Sequence, residues 1–211
     1  MASIAATAHA AEGSTVSSAY DRFAGSCAIA AGGLTLVYSV SFIVLANEPL
    51  SSFCLLANGL LSTAVLVALY QHVRGTDASF ALWGLLLGLA GSIGSALHGG
   101  YDPAAVLHEH GPVDPSLPSA MDPRGLLTFG VTGIGLWVFA WLIVRGGQLP
   151  RALAYLAYVV AALQIVLYLG RLIVFDARNP VIVVPALLAG FVATPIWYIW
   201  LGVSLWRGAR A

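Results

Sequence analysis

Three of the chain's five histidines fall in the stretch HGGYDPAAVLHEH, residues 98–110, with Asp102 and Glu109 among them. Imidazole and carboxylate groups at this density could bind a divalent cation or move protons. If a metal is held here, the set that spacing allows is His98, Asp102 and His108, with His110 as the alternative to His108. On one helix His108 and His110 point about 200° apart, so both cannot serve the same ion. No HExxH or comparable zinc spacing supports the set. Two of the nearby aspartates also have a structural account. Aspartate caps helices and proline suits the first helical position, so Asp102-Pro103 predicts a short helix over 103–110 that stops at Gly111. Asp122-Pro123 predicts the start of the next long helix, and Asp114-Pro115 a turn.

A second constellation is spread over three hydrophobic segments. Gln164, Tyr168 and Arg171 follow one another at helical steps of four and three, which puts amide, phenol and guanidinium on one face. An ionisable group inside a membrane span is a functional candidate, although Arg171 is near enough to the segment's end to reach the interface. Asn58 shares a face with Ser51 and Ser62 and is expected to look inward, as glue between helices or as a ligand-binding amide. With His98 and Tyr101, these residues outline a pocket of Asn58, His98, Tyr101, Gln164, Tyr168 and Arg171, suited to a small amphipathic or anionic ligand.

Other chemistries are excluded by what is missing. All nine basic residues are arginines, so no lysine can carry a retinal Schiff base. His72 and His98 lie at opposite ends of neighbouring segments and cannot form an axial haem pair. Cys27 and Cys54 fall in opposite leaflets and no CxxC occurs, which argues against a disulfide or a thiolate metal site. The net charge is zero, so nothing points to nucleic acid.

The elements that must position these groups are membrane helices. The chain is 59% hydrophobic and 9% charged, with a mean hydropathy of +0.89. Six segments meet the length of about 20 apolar residues that a span requires. They are 23–46, 50–71, 79–98, 125–144, 152–175 and 181–206. They predict an all-α, polytopic transmembrane helix bundle in a single domain, 23–207. A flexible tail precedes it over 1–22, and an outer loop over 99–124 carries the short interfacial helix. The tail lacks the basic start and apolar run of a signal peptide. Arg22, Arg74, Arg145, Arg151, Arg207 and Arg210 fall on the side of the termini, and Arg124, Arg171 and Arg178 on the other. The positive-inside rule therefore puts both termini in the cytoplasm and residues 99–124 outside the inner (plasma) membrane.

Packing signals are strongest in the third segment, where Gly84, Gly88, Ser92 and Ala96 make a stripe of small residues beside a second face that leads through Gly91, Gly94 and Ser95 to His98. In the sixth, Pro185 and Pro195 predict bends that frame a cavity. Trp197, Tyr198, Trp200 and Trp206 read mainly as an interfacial aromatic belt, with an aromatic-lined pocket as the alternative.

The motifs HGGYD (98–102), DPRGLLTFG (122–130), YLGRLIV (168–174) and PIWYIWLGVSLWR (195–207) resemble those of small bacterial multi-pass membrane proteins grouped under a domain of unknown function. The resemblance covers most of the chain after about residue 50 and implies no activity. Three functions remain. The leading expectation is a non-catalytic accessory or small-molecule-binding bundle, embedded in lipid, with a membrane-protein partner or a second copy as its associate. The alternatives are a metal-dependent enzyme built on His98 and Asp102, and a transporter hinged on the proline-broken sixth segment.

Overall fold

A computed structural model describes residues 2–107, 125–174, 176 and 178–208, with side chains described from residue 19 to 101 and over the later stretches. Every regular element among the described residues is helical. Six helices are long and apolar enough to cross a membrane: α1 (Ala19–Val44), α2 (Glu48–Val73), α3 (Ala78–Tyr101), α4 (Leu126–Gly146), α5 (Arg151–Val174) and α6 (Pro180–Gly208). No end differs by more than four residues from the hydropathy reading, because lipid forces each chain crossing to satisfy its backbone within one helix. The helix containing α1 begins at Ala2. That of α3 runs on through Asp102 and Pro103 to Leu107, so Asp102 lies within a continuous helix; the remainder of the expected interfacial helix lies outside the described residues.

Short polar connections turn the chain back at each end. Asn47 caps α2 by accepting from the Leu50 N–H at 3.1 Å, and Asp77 caps α3 by accepting from the Ser79 and Phe80 N–H groups at 3.1 Å. Asn179 accepts from Val181 N–H at the start of α6, followed by Pro180 at the first helical position. Gly147 ends α4 in the left-handed conformation that a Cβ would disfavour (φ 64°).

The six helices form a ring in chain order, each packed on its neighbours, with α6 closing on α1. Glycines bring the backbones together. A Cβ on Gly59 of α2 would stand 2.7 Å from the Ala96 amide nitrogen of α3, and one on Gly202 of α6 would stand 2.6 Å from the Gly25 carbonyl oxygen of α1. Such close approach is how helices associate in lipid, where apolar surface gives no drive of its own.

The ring interior differs between its two halves. Toward the end that carries the helix α1 start and the α6 finish, here the termini end, it is a dry plug of Val65, Leu69, Val73, Phe139, Leu142, Ile143, Leu153, Leu201 and Leu205. From mid-depth to the opposite, loop end, the buried polar side chains are hydroxyls: Thr35, Ser39, Ser41, Ser51, Ser52, Ser62, Ser92, Thr128 and Thr194.

Three spans contain π-helical turns, Val40–Val44 in α1, Leu126–Val131 in α4 and Ala189–Ala193 in α6. The last follows Pro185, which removes one backbone donor and bends the helix. A π turn inserts an extra residue and rotates everything after it relative to a regular helix.

Candidate functional site

The two halves of the interior meet at a cavity of about 30 Å³ lined by residues of five helices. Leu66 comes from α2, Gly88 and Ser92 from α3, Thr132 and Leu136 from α4, Val160 and Gln164 from α5, and Thr194, Trp197 and Tyr198 from α6. Thr132 and Thr194 each stand immediately after a π turn, so the widened turns of α4 and α6 deliver these hydroxyls to the cavity. In α4 the Thr132 hydroxyl donates to the Leu127 carbonyl at 3.1 Å and ties its own π turn.

Two of the lining residues each carry a buried polar atom with no hydrogen-bond partner: the Gln164 Oε1 acceptor and the Trp197 Nε1–H donor. Trp197 is only 3% exposed, and its indole meets the Tyr198 ring edge to face at 5.0 Å. A buried polar atom left unpaired costs roughly 1–3 kcal/mol, so two of opposite sense on one small cavity mark a place that a polar guest would stabilise.

Behind the wall runs a chain of hydrogen bonds through α6, α2 and α1. Tyr198 Oη and Ser62 Oγ lie 2.7 Å apart, Ser62 donates to Asn58 Oδ1 at 3.4 Å, Asn58 Nδ2 donates to Thr35 Oγ1 at 3.0 Å, and Thr35 donates to the Ala31 carbonyl at 2.9 Å. Each link crosses or braces a helix contact inside the bundle.

Of the residues singled out from the sequence, Gln164 is on the cavity wall. Asn58 is two hydrogen bonds removed from it, through Ser62 and Tyr198, its amide engaged by Thr35 and Ser62. Tyr168 packs its ring against Gly130 of α4, where an added Cβ would come within 3.1 Å. His98 and Arg171 are half-buried and Tyr101 is 55% exposed at the loop end, each engaged in an interaction of its own. The side chain of Asp102, and His108 and His110 altogether, lie outside the described residues. Among the described residues no group of three His, Cys, Asp or Glu side chains gathers as a metal would require. Both cysteines are free and buried.

Sequence reasoning missed Ser92, Thr132 and Thr194 as site residues and put Trp197 and Tyr198 mainly in an interfacial belt. Both aromatics instead turn inward, because the π turn upstream sets their face. It also did not pair Asp21 with His72, which it weighed only as a haem ligand. Asp21 of α1, 6% exposed, places Oδ2 at 3.3 Å from His72 Nε2 of α2, close enough to pair by charge though not aligned as a hydrogen bond. A carboxylate two residues before the expected start of the first span was the available signal. This pair lies at the termini end, beyond the apolar plug.

The chain matches no family model, no curated protein and no solved structure, so its function must be read from this geometry.

Proposed function

We propose that the protein is a non-catalytic, small-molecule-binding membrane bundle whose ligand sits in the central cavity. The observation that carries this reading is the pair of unpaired atoms, Trp197 Nε1–H and Gln164 Oε1, on two residues that line the same cavity. A ligand that accepts from one and donates to the other offsets the cost of both. Most binding pockets have this composition, apolar and aromatic walls with a few placed polar groups.

The ligand reaches the cavity from the loop end. The interior there is built from small hydroxyl side chains, whereas the opposite half is closed by Phe139, Leu69 and their neighbours. Arg171 and Tyr168 continue the face of α5 that carries Gln164 and give that approach a polar lining. The arginine distribution orients the bundle with both termini in the cytoplasm and the loop end outside the inner membrane.

A second reading, transport, draws on the π turns. The one in α6 interrupts its span directly before the cavity residues Thr194, Trp197 and Tyr198, and interrupted helices at mid-membrane are the usual frame of a transported substrate's site. Binding without flux in sealed proteoliposomes keeps the first reading, and saturable flux replaces it.

The direct test is protein purified in lipid nanodiscs, with Trp197 identified among the six tryptophan indole N–H resonances by Trp197→Phe. Small polar molecules offered one at a time should move that resonance saturably. A resonance unmoved by all of them, together with no small molecule copurifying by mass spectrometry, would remove the reading.

A further inference from the structure

Three of the six tryptophans, Trp83, Trp137 and Trp141, gather on one outer face of the ring, where α3, α4 and α5 lie side by side. In α4, Trp137, Trp141 and Arg145 stand at steps of four, a single stripe that runs down to the last turn of the helix at the termini end. In α5, Arg151 and Tyr158 stand two turns apart on one face, which rises from that same end. Ring contacts join the helices. Trp137 meets Tyr158 edge to face at 4.9 Å, Trp141 packs on Phe80 of α3 at 5.2 Å, and Phe80 meets Trp83 at 6.3 Å. Phe80, Trp83 and Trp137 are nevertheless 45–48% exposed, so this aromatic surface is presented to lipid rather than consumed in the bundle.

The face ends in positive charge. Arg145 and Arg151 flank the turn between α4 and α5, and both are exposed. The Arg145 guanidinium carbon lies 4.7 Å over the Trp141 ring, which holds the cation against the helix and leaves its donors to an oxyanion. The neighbouring connection from α2 to α3, whose Thr76 packs beside Gly146, adds Arg74 and one carboxylate, Asp77. Asp77 is turned to the Ser79 and Phe80 N–H groups, and among the described residues no carboxylate pairs with Arg145 or Arg151. The corner therefore holds three arginines against one acid that is already engaged. We infer that it is a binding site for an anionic phospholipid, whose acyl chains lie along the aromatic face while its phosphodiester accepts from Arg145 and Arg151. An aromatic belt alone is indifferent to headgroup charge. A zwitterionic lipid would fit the rings but bring its own cation to the arginines, and a free phosphate would use the arginines and none of the rings. The site is independent of what occupies the cavity.

The test uses the full chain in phosphatidylcholine vesicles that contain a variable minor fraction of one brominated lipid, bromine being a contact quencher of tryptophan. Brominated phosphatidylglycerol should reach half-maximal quenching at a mole fraction about fivefold below that of brominated phosphatidylcholine, the value of one basic side chain beside an anionic membrane, and about thirtyfold below it where both arginines contribute fully. Arg145→Gln with Arg151→Gln should remove the preference. Arg22→Gln with Arg207→Gln takes the same charge from the contact of α1 with α6 at the same end and should leave it in place. Far-UV circular dichroism checks that both double variants are folded. Equal quenching by the two lipids in the parent overturns the site without recourse to any variant. Equal loss of preference in the two double variants reduces it to the general charge of this end, and abolition by inorganic phosphate at matched ionic strength makes it a site for the free anion; either result overturns the lipid assignment.

Discussion

Replacing Gly59 by alanine adds one methyl group, and the structure says where it goes. The new Cβ would lie 2.5 Å from the Ser92 carbonyl oxygen and 2.7 Å from the Ala96 amide nitrogen, whereas ordinary Cβ contact begins near 3.4 Å. Both obstacles are backbone, so no side chain can swing away. α2 and α3 must separate by roughly 0.7–0.9 Å, and overpacking of this kind costs about 1–3 kcal/mol. Gly33 of α1 supplies the control, since a Cβ there meets nothing within 4 Å. Gly33→Ala should be neutral or slightly stabilising through helix propensity, worth about 0.5–1 kcal/mol. The assay is equilibrium unfolding of the two variants and the parent in mixed detergent micelles, followed by far-UV circular dichroism. Ser92 also lines the cavity, so the separation should carry a second signature, a weaker Trp197 response to ligand in Gly59→Ala alone. If Gly59→Ala unfolds at the same point as Gly33→Ala, the close backbone packing inferred for α2 and α3 is wrong.

Ser62→Ala and Tyr198→Phe should be non-additive in the same unfolding assay, with a coupling of about 0.6 kcal/mol and a ceiling near 1.7 kcal/mol, as for other hydrogen bonds between membrane helices; additivity would dissolve the chain through Asn58. Asp21→Ala and His72→Ala should likewise couple, by about 1 kcal/mol, and a double-mutant cycle that closes at zero would show that their 3.3 Å approach contributes nothing. For orientation, Gln148→Cys should react with an impermeant maleimide only from the cytoplasmic face of spheroplasts or inverted vesicles and Arg178→Cys only from outside, against the low background of two buried native cysteines. The reverse pattern would invert the topology.

The spans were legible from sequence because lipid leaves few choices: an apolar run of sufficient length must be a helix. The caps were not: Asp102, expected as one, lies inside a continuous helix, and Asn47, Asp77 and Asn179 were passed over. The small-residue stripe of α3 was legible for a similar reason, and Gly84, Gly88 and Gly91 do meet Val138, Leu66 and Thr132 at close range. Gln164, singled out because an amide in a span is rarely idle, does line the cavity. The rest of the cavity was hidden by the π turns. Projected as one regular helix, α6 puts Trp197 and Tyr198 on a face that the inserted residue in Ala189–Ala193 then rotates inward, and no local pattern announces that insertion. Asn58 was placed inward correctly, but its tie to Thr35 and, through Ser62, to Tyr198 depends on α6 returning to α1, a long-range closure that no spacing within one segment records.

The division of the ring interior also decides where a membrane voltage would act. Potential drops where polarisable groups are fewest, and the dry layer of Phe139, Leu69, Leu142 and Leu201 is the least polarisable part of the path. Moving one elementary charge through the whole field is worth about 2.3 kcal/mol per 100 mV. Most of that work is concentrated across this layer, and the cavity lies on its loop side. An uncharged guest arriving from the loop end crosses almost none of the field. Its occupancy should therefore be the same in energised and de-energised membranes, and any electrical sensitivity the protein shows must come from a charge that crosses this layer.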